Sequence, residues 1–451
     1  MVKLTCPKMS LRRMLRLSVL AICMSVALVS QSVATDLLSY VAQPDSTFAW
    51  QKTEETTSAL GTRIVFNMTS QTWQGIAWQH KLELFIPPSC EFPDTALMIV
   101  AGGNGGGGES QFLILVASMT KCPVAVLHNI PNQPMYGGLH EDSLIAYTFA
   151  KALETNDMTW PLLLPMTKSA VRAMDILQAY SKASMKHEIS KFIIGGASKR
   201  GWTTWLTAAA DPVRVKGIIP MVYDNLNLIK QMDLQIAAYG TYSEKIQDYT
   251  DIHLQAKLKT PEGRILAKVV DPWTYIKRIT MPKLIINAAN DPYWNISSMN
   301  IYWKDLIGNK SVLYVPNAGH DMGMGNMEVQ NIITIAAPMT AFIRSVAKGE
   351  SLVPMNWKYA CKSNICRLNI RTATKDTDAK MWVAVSDTRD FRKSTWNPVE
   401  MKPGKSGFAG SVPLPTKGYL AIFGEVMFPG SPAYSLSTQV GVFDTKGSIP
   451  S

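Results

Sequence analysis

The sequence predicts an α/β protein built on a doubly wound, mostly parallel sheet. Short continuous apolar runs, such as 96–100 and 124–127, are typical of strands buried on both faces of a parallel sheet. Amphipathic segments with helical periodicity fall between these runs. Because strands that alternate with helices require crossover connections, the helices cover both faces of the sheet. A helical cap insertion and a small C-terminal β-sandwich domain complete the predicted fold class.

The predicted elements follow one another in a regular order. Two antiparallel strands, at 63–68 and 80–86, open the sheet because apolar and polar residues alternate there. The apolar runs that we interpret as further strands lie at 96–100, 124–127, 192–194, 217–222, 284–286 and 312–315. The segments that we interpret as helices lie at 110–119, 143–153, 167–182, 201–210 and 328–347.

One long insertion interrupts this alternation. Residues 224–279 are mostly helical in pattern and separate two predicted strands. In an open α/β sheet such an insertion lies over the carboxyl ends of the strands, where ligands bind. We interpret it as a cap, and the alternative is extra scaffold that does not contact the site. Its aromatic residues are candidates to line a pocket: Tyr239, Tyr242, Tyr249 and Trp273.

The pattern changes again near the C-terminus. Residues 351–451 contain no convincing helix, and their apolar runs at 367–370, 381–385 and 419–426 are separated by turn-rich segments. This pattern is typical of a small β-sandwich. We therefore expect an α/β domain at 35–350 and a β-sandwich domain at 351–451.

The N-terminus has the pattern of a secretory signal peptide. Five basic residues precede or border an apolar run of 13 residues at 17–29, and Ser32-Val33-Ala34 is a cleavage-site pattern. The run is too short for a stable membrane span, which takes about 20 residues. Residues 1–34 are thus predicted to be removed and the protein to be secreted and extracellular. An uncleaved signal anchor is the alternative.

Charge gives no indication of a nucleic-acid partner. Residues 1–34 hold five Lys or Arg and no acid, so their removal lowers the formal net charge from +11 to +6. The remaining basic residues are scattered and form no long run. We therefore expect no nucleic-acid partner.

Cysteine usage agrees with secretion. Four cysteines remain after removal of 1–34, and an even number in a secreted chain predicts disulfides. Cys361 and Cys366 would close a short loop. Cys90 and Cys122 each precede a core strand and could meet at one end of the sheet. Zinc is the weaker alternative because no histidine flanks either pair at metal-site spacing. We expect neither a metal nor a cofactor.

The strongest chemical motif surrounds Ser198. A strand at 192–194 leads into a tight turn at Ser198 and then into a helix, which is the context of a nucleophile elbow. A serine needs a strained turn, a neighbouring base and amide donors to become an effective nucleophile. The motif departs from G-x-S-x-G: Gly196 fills the first glycine position, but Arg200 occupies the second and Gly201 comes one residue later. A helix N-cap serine is the alternative.

Two further residues complete a candidate triad. Asp291 comes just after the strand at 284–286, and His320 comes just after the strand at 312–315. The chain order Ser, Asp, His is that of α/β-hydrolases. In this interpretation His320 removes the proton of Ser198, and Asp291 fixes the imidazole tautomer and stabilises its charged form.

A glycine cluster at 102–108 follows the strand at 96–100, where the second oxyanion donor arises in this fold. We expect backbone N–H groups of Gly103 or Asn104, together with that of Lys199, to hold the oxyanion. A flexible turn is one alternative. A phosphate-binding loop is another, but no G-K-S/T sequence follows the cluster.

Three residues near the elbow are candidates for substrate binding: Lys199, Arg200 and Trp202. A cation at Lys199 or Arg200 could bind a substrate carboxylate by a charge-assisted hydrogen bond. Pairing with an acid of the scaffold is the alternative. Three N-x-S/T sequons, at Asn67, Asn295 and Asn309, predict glycosylation only in a secretory pathway that glycosylates.

Four motifs make the chain similar to a known family. They lie at 195–203 (GGASKRGWT), 160–175 (WPLLLPMTKSAVRAMD), 129–134 (NIPNQP) and 141–143 (EDS). With these motifs the chain resembles the PhoPQ-activated pathogenicity-related protein family, which includes autocrine proliferation repressor proteins. The resemblance covers about 40–350 and implies an α/β-hydrolase fold. A more distant likeness is to glucuronoyl esterases, whose elbow also has a basic residue after the serine.

Two classes of function follow. The first is a secreted serine hydrolase acting on a small-molecule ester or a peptide bond, with carboxylate-bearing substrates as one option. The second is a secreted signalling protein that binds a cell-surface receptor and keeps the fold without needing catalysis. The intact triad favours the first, and the names used in the family, which describe regulation and virulence, favour the second.

Overall fold

The computed structural model describes residues 36–105, 109–325, 329–374, 377–404 and 407–448. The predicted signal peptide at 1–34 and part of the glycine cluster, at 106–108, lie outside the described residues. Helix α1 (Leu37–Ala42) opens the described chain, and Asp36 caps it by accepting a hydrogen bond from the Ser39 N–H.

A mixed sheet forms the centre of the molecule, as the sequence predicts. Its first nine strands stand in the order β1-β2-β3-β5-β4-β6-β7-β8-β9. The pairs β1–β2, β2–β3 and β3–β5 are antiparallel, whereas all pairs from β5 to β9 are parallel. The strands are β1 (Ala49–Ser58), β2 (Gly61–Trp73), β3 (Ile76–Ile86), β4 (Thr95–Val100), β5 (Val124–Leu127), β6 (Lys191–Ala197), β7 (Val215–Met221), β8 (Lys283–Ala288) and β9 (Lys310–Val315).

Helices between the parallel strands cover the sheet. Strands β5 and β8 are buried along their whole length, which explains why they read as continuous apolar runs. The ends of the five predicted helices differ from the observed ends by four residues or fewer. The observed helices are α2 (Glu109–Thr120), α3 (Glu141–Thr155), α4 (Leu163–Ser184), α5 (Lys199–Ala210) and, near the end of the α/β part, α10 (Val329–Lys348).

The predicted cap insertion is helical. It contains α6 (Leu228–Tyr239), α7 (Gln247–Asp251), α8 (Leu254–Lys257) and α9 (Pro261–Val270), with 3₁₀ turns at Glu244–Ile246 and Pro272–Arg278. Buried Asp271 ties its two ends together. The Asp271 carboxylate accepts the backbone N–H groups of Asn227, Leu228 and Trp273 at 3.1, 2.8 and 2.9 Å. The entrance and exit of the insertion are therefore fixed by one side chain.

The chain after 354 forms two antiparallel β-layers. One is a four-stranded sheet in the order β10-β11-β15-β14, and the other continues the central sheet because β17 pairs with β9 at Ser437 and Val312. The strands are β10 (Met355–Lys362), β11 (Ile365–Thr372), β12 (Asp378–Ser386), β13 (Asn397–Glu400), β14 (Lys402–Gly404), β15 (Gly407–Pro413), β16 (Tyr419–Phe428), β17 (Tyr434–Ser437), β18 (Gly441–Asp444) and β19 (Gly447–Ser448).

One of the two predicted disulfides is present. Cys361 and Cys366 are bonded across the β10–β11 hairpin, with Cα atoms 4.1 Å apart. The predicted Cys90–Cys122 bond is wrong for this structure, in which both residues are free thiols. Their backbones do run side by side, but the fully buried Cys122 directs its thiol to the Thr120 carbonyl oxygen, whereas Cys90 is partly exposed.

No helix within the described ranges combines the length and apolar character needed to cross a membrane.

Candidate active site

Ser198 occupies a strained turn between β6 and α5. Its φ of 57° and ψ of −126° lie in a region that non-glycine residues rarely adopt, at a cost of roughly 1–3 kcal/mol. The surrounding structure holds it there. The Ser198 N–H donates to the Met221 carbonyl at 2.9 Å, and the Ser198 carbonyl accepts from the Trp202 N–H at 3.0 Å. This is the geometry that a nucleophile elbow requires.

The two glycines of the elbow allow close backbone approach. A Cβ at Gly196 would lie 2.6 Å from the Arg200 carbonyl oxygen, and a Cβ at Gly201 would lie 2.8 Å from that of Met221. Gly201 therefore lets α5 pack against the end of β7. The departure from G-x-S-x-G moves the second glycine by one position and puts Arg200 in its place.

His320 and Asp291 form a direct pair. His320 Nδ1 lies 2.8 Å from Asp291 Oδ2, and Asp291 also accepts the Tyr293 N–H at 2.8 Å. The ring of Tyr293 packs on the imidazole, with centroids 4.2 Å apart. His320 Nε2 is buried and has no hydrogen-bond partner among the described residues. Ser198 therefore does not bond to Nε2 in this structure, and catalytic hydrogen bonds are often loose before substrate binds.

The three candidate triad residues lie at the same end of the sheet, where the parallel strands have their carboxyl ends. Ser198 follows β6, Asp291 follows β8, and His320 follows β9, and these strands are parallel. The Asn290 N–H donates to the Ala318 carbonyl at 3.0 Å, which ties the Asp291 loop to the His320 loop.

A mostly apolar cavity adjoins Ser198. It has a volume of about 50 Å³ and lies beneath helices of the cap. Trp202, a predicted substrate-binding residue, lines it, and its indole N–H donates to the Val270 carbonyl at 2.5 Å. The other lining residues are Asp142, Phe149, Lys199, Tyr223, Asn225, Leu228, Met232, Ile246, Tyr249, Leu254, Gln255, Leu258, Val270, Tyr293 and Trp294.

The two cations beside Ser198 pair with acids of α3, which is the alternative that the sequence left open. Arg200 binds Glu141 through both guanidinium nitrogens, at 2.7 and 2.6 Å, and its Nε donates to the Ile130 carbonyl. Lys199 Nζ lies 2.8 Å from Glu141 and 3.2 Å from Asp142. The prediction that one of these cations is free to bind a substrate carboxylate is therefore not supported. Arg200 also does not line the cavity.

Glu141 is the centre of this network. Burial alone would raise its pKa, but Arg200 and Lys199 lower it to about 2. A Cβ at Gly102 would lie 2.0 Å from Arg200 Nη2, so the first glycine of the cluster packs directly on the guanidinium. The network thus joins the start of α5 to the loop after β4, the two places expected to supply oxyanion donors.

The residues of the loop after β4 have different surroundings. Gly102 contacts Arg200, whereas the Gly103 carbonyl accepts the Asn129 N–H at 2.9 Å. Asn104 lines a different, open groove together with Asn129 and residues of β1 to β3. Asn104, whose backbone N–H was predicted as an oxyanion donor, does not line the cavity beside Ser198. Gly102 is the residue of the loop that packs against the start of α5.

Several residues that line the cavity were not predicted from the sequence. Tyr223 and Asn225 follow β7, and Tyr293 and Trp294 follow Asp291. Their position just after parallel strands could have identified them as candidate site residues. Of the four aromatic cap residues named from the sequence, Tyr249 lines the cavity, and its hydroxyl donates to Asp142 at 2.9 Å.

The remaining three lie elsewhere. Tyr239 packs against Arg392, with the guanidinium 4.2 Å from the ring centroid. Trp273 is 38% exposed and donates to Asp305, and neither it nor Tyr242 lines the cavity.

A second buried acid lies next to the candidate triad. Asp224 follows β7, accepts a hydrogen bond from the Tyr302 hydroxyl at 2.6 Å and another from the Asn287 amide at 2.9 Å. It shares a small void with Asp291. Burial raises the pKa of Asp224 to about 7, and the charge of Asp291 adds to this effect, although the hydrogen bond from Tyr302 lowers it.

The three sequons differ in accessibility. Asn67 and Asn309 are exposed. Asn295 is 3% exposed, and its amide donates to the Arg389 carbonyl at 3.3 Å. The burial of Asn295 therefore argues against the predicted glycosylation at this position, because a glycan on that nitrogen has no space in this fold.

Comparison with known proteins identifies the family. The family model described as PhoPQ-activated pathogenicity-related protein matches residues 37–392. The chain belongs to this family. It is 30% identical over 450 residues to autocrine proliferation repressor protein A of Dictyostelium discoideum, which covers 91% of this chain and 90% of that protein.

Solved structures with a similar fold include two esterases. Acetyl xylan esterase 1 from a Thermoanaerobacterium species is 16% identical with a TM-score of 0.45, and the match covers 66% of this chain and 90% of the other. An acetyl xylan esterase from a Paenibacillus species is 14% identical with a TM-score of 0.47, and the match covers 68% and 91% of the two chains.

Proposed function

We propose that this member of the family is a secreted serine hydrolase that cleaves esters of short acyl groups. One observation carries the proposal: a strained Ser198 and a His320–Asp291 pair, whose Nε2 has no partner among the described residues, both follow the carboxyl ends of parallel strands, and Ser198 lines a partly open cavity. A neutral imidazole held by a carboxylate is a suitable base for a serine hydroxyl.

Each residue has a defined role in the proposed reaction. Ser198 Oγ attacks the ester carbonyl while His320 takes its proton, and Asp291 stabilises the imidazolium. The ester C–O bond then breaks, and His320 returns the proton to the departing alcohol. Water, deprotonated by the same histidine, hydrolyses the acyl-Ser198 bond and releases the acid. Backbone N–H groups of Lys199 and of the loop at Gly102 and Gly103 are the proposed oxyanion donors.

The size and the lining of the cavity favour a substrate with a short, uncharged acyl group. Pockets for drug-sized ligands measure roughly 300–1,000 Å³, so a cavity of about 50 Å³ is suited to a small acyl group. Most of its wall is apolar or aromatic. Among the described residues, Lys199 is the one cation that lines the cavity, and it already contacts Glu141 and Asp142. A carboxylate-bearing substrate would therefore find no uncompensated positive charge, and a neutral ester fits better than a peptide with a large side chain.

Extracellular location is part of the proposal. It is supported by the signal-peptide pattern at 1–34 and by the Cys361–Cys366 disulfide, since disulfides persist in oxidising compartments.

Covalent labelling with a fluorophosphonate tests the proposal directly. We expect one label per chain, mapped by peptide mass to Ser198 and lost in Ser198→Ala. Ser118→Ala removes an exposed serine on α2 and serves as the matched control that keeps the label. Absence of labelling in the folded wild-type protein, or labelling that persists in Ser198→Ala, would contradict the hydrolase proposal.

A second candidate is a secreted signal that binds a cell-surface receptor. The name of the 30% identical relative, autocrine proliferation repressor protein A, supports it. Proliferation of the producing cells in medium with wild-type or Ser198→Ala protein separates the two functions. Equal repression by both proteins indicates signalling without catalysis, whereas repression lost with Ser198 indicates that any signal depends on hydrolysis.

A further inference from the structure

The connection between β12 and β13 lies against the two loops that carry the candidate base and its acid. This connection, residues 387–396, is called the β12–β13 loop below. It belongs to the chain after 354, yet its backbone is hydrogen-bonded to the loop after β8 and to the loop after β9. One segment of the C-terminal chain therefore contacts both loops of the candidate pair.

Asn290, the residue directly before Asp291, binds this segment through its side-chain amide. Its Nδ2 lies 2.7 Å from the Ser394 carbonyl oxygen, 3.2 Å from that of Phe391 and 3.3 Å from that of Arg392. Three carbonyl groups of the β12–β13 loop thus converge on one nitrogen, which has two hydrogens to donate. The backbone of the loop curves round the Asn290 side chain and ties the position of Asp291 to the C-terminal chain.

Asn317, three residues before His320, binds the same segment at its far end. Its Nδ2 donates to the Trp396 carbonyl at 2.9 Å, and its Oδ1 accepts the Trp396 N–H at 2.7 Å. Asn317 has a φ of 55°, a left-handed conformation that asparagine adopts more readily than most residues. The two bonds therefore hold the turn that leads to His320.

The segment is itself held firmly by the rest of the C-terminal chain. Phe391 and Trp396 are 2% and 1% exposed, and the Trp396 ring packs on Phe423 of β16, with centroids 5.0 Å apart. The Ser394 hydroxyl donates to the Val385 carbonyl of β12 at 3.1 Å. The β12–β13 loop is therefore a packed support for the groups that bind it.

We infer that the C-terminal chain positions the candidate base: the β12–β13 loop holds the loops of Asp291 and His320 in register, and Asn290 and Asn317 are positioning residues. The inference rests on the proposed function and adds the C-terminal chain to its apparatus. Catalytic groups must stay within about 0.5 Å of their productive geometry. A displacement of about 1 Å can cost about 10²-fold in rate. Anchoring both loops on one support limits such displacement.

Adhesion between the two parts of the chain has other sources. Strand β17 pairs with β9, and the Asn300 side chain donates to the Val440 carbonyl at 2.9 Å and accepts from the Gln439 amide at 2.8 Å. Asn300 lies in the 3₁₀ turn Ser298–Ile301, which follows the Asp291 loop in the chain. Its loss removes two hydrogen bonds to the C-terminal chain and leaves the β12–β13 loop in place. Asn300 is therefore a matched control for general adhesion.

Two variants break the proposed contacts independently, so that the test does not depend on the folding of one protein. Asn317→Gly deletes the side chain and keeps the left-handed backbone. Asn290→Ala deletes the amide without adding charge. Asn300→Ala is one control, and Asn364→Gly is the other because it makes the glycine change at an exposed asparagine with a φ of 60° in the β10–β11 turn.

Kinetics of a short-chain p-nitrophenyl ester give the first readout. We expect kcat to fall about tenfold or more in Asn317→Gly and in Asn290→Ala, with KM changed by less than about threefold, because the base is misplaced while the cavity is kept. Both controls should stay within about twofold of the wild-type kcat. A fall of equal size in Asn300→Ala would overturn the inference, because general adhesion would then be the cause.

A spectroscopic measurement tests the positioning without catalysis. The proton between His320 Nδ1 and Asp291 should give an NMR signal far downfield of the backbone amides, identified by its absence in His320→Gln. We expect this signal in wild type and in both controls, and its loss or displacement in Asn317→Gly and Asn290→Ala. That result supports the positioning role even if the protein takes no fluorophosphonate and hydrolyses no ester.

The opposite result separates this inference from the hydrolase proposal. Labelling of Ser198 in wild type, together with an unchanged downfield signal and more than half of the wild-type kcat in folded Asn317→Gly and Asn290→Ala, would leave the hydrolase proposal standing. The same result would overturn the positioning role of the β12–β13 loop.

Discussion

His320 Nδ1 lies 2.8 Å from Asp291 Oδ2, and this bond determines which nitrogen of the imidazole is available as a base. Because Asp291 accepts the Nδ1 proton, the lone pair of the neutral ring lies on Nε2, which is buried and unpartnered among the described residues. Packing of Tyr293 on the ring restricts its rotation further. The orientation of the proposed base is thus set by groups that do not react.

Replacing Asp291 should abolish most of the catalytic activity. We expect Asp291→Asn to lower kcat for a short-chain p-nitrophenyl ester about 10⁴-fold, since an amide no longer fixes the reactive tautomer. Asp94→Asn, which removes the partner of Lys191 at the opposite end of the strands, is the control and should stay within about twofold of wild type. An Asp291→Asn enzyme with more than a tenth of the wild-type kcat would contradict the assignment.

Loss of the Glu141 carboxylate should destabilise the protein. Glu141→Gln leaves Arg200 and Lys199, which are 12% and 8% exposed, without their shared counter-charge. We expect the free energy of unfolding in urea at pH 7 to fall by about 1–2 kcal/mol, because partial exposure of Glu141 screens part of the interaction. Glu154→Gln, in an exposed pair with Lys151, should change it by less than about 0.5 kcal/mol.

The contribution of Glu141 to the free energy of unfolding should decrease as the pH falls. Its pKa is lowered to about 2 in the folded protein from an ordinary value of 4.5, so its stabilising effect is complete above pH 4.5 and disappears as the pH falls toward 2. The unfolding free energies of wild type and Glu141→Gln should therefore converge over this range. A difference that stays constant from pH 6 to pH 2.5 would show that the carboxylate charge is not the cause.

Asp224 should show the opposite pH dependence. Its folded pKa is raised from 3.8 to about 7, so its contribution to stability is greatest below pH 4 and is lost as the pH rises toward 7. The stability of wild type relative to Asp224→Asn should fall over that interval, measured by chemical denaturation at half-unit steps. An equal difference at pH 4 and pH 8 would rule out a protonated Asp224.

The displaced glycine of the elbow gives a steric prediction. An alanine at Gly201 places Cβ 2.8 Å from the Met221 carbonyl oxygen, which forces α5 away from β7. We expect Gly201→Ala to cost about 1–3 kcal/mol of stability and to lower kcat through displacement of the elbow. Gly404→Ala is the control, because its Cβ would meet its nearest neighbour at an ordinary 3.6 Å. Equal thermal stability of the two variants would contradict this account.

Glycosylation should follow burial. In a secretory host that adds N-glycans, we expect glycans at exposed Asn67 and Asn309 and none at buried Asn295. Intact mass before and after glycosidase treatment checks this. Asn67→Gln and Asn309→Gln should each remove one glycan, whereas Asn295→Gln should leave the glycan mass unchanged. A glycan on Asn295 in the folded, secreted protein would contradict the burial of that side chain.

Sequence reasoning predicted the parallel strands well because each is a mostly buried apolar run, and all of them except β8 are followed by a helix. It missed β1 (Ala49–Ser58), an edge strand whose residues are all exposed and mostly polar, so no apolar periodicity marks it. The order of the candidate triad was readable because Ser198, Asp291 and His320 each follow a strand. The acids that pair with Lys199 and Arg200 could not be predicted from the sequence, since Glu141 and Asp142 come close to these cations only after the chain folds.

The wrong predictions have a common physical origin. The backbone next to Cys90 pairs with that next to Cys122, since the Glu91 N–H donates to the Lys121 carbonyl, but the direction of each thiol depends on local packing that sequence spacing does not reveal. Charge at Lys199 and Arg200 suggested an acidic substrate because a sequence shows charges without their counter-charges. The cavity beside Ser198 is instead mostly apolar.

The pairing of β17 with β9 has a consequence for how the chain tolerates shortening. A chain that stopped at 350, where the α/β pattern ends, would keep β8 on one side of β9 but would expose the other side, which β17 pairs with at Val312. Open edges of this kind pair with other chains and cause aggregation. The other edge, β1, is protected by its own charged residues, Lys52, Glu54 and Glu55. We therefore expect a fragment that ends at 350 to self-associate, and a minimal soluble fragment to include the C-terminal strands.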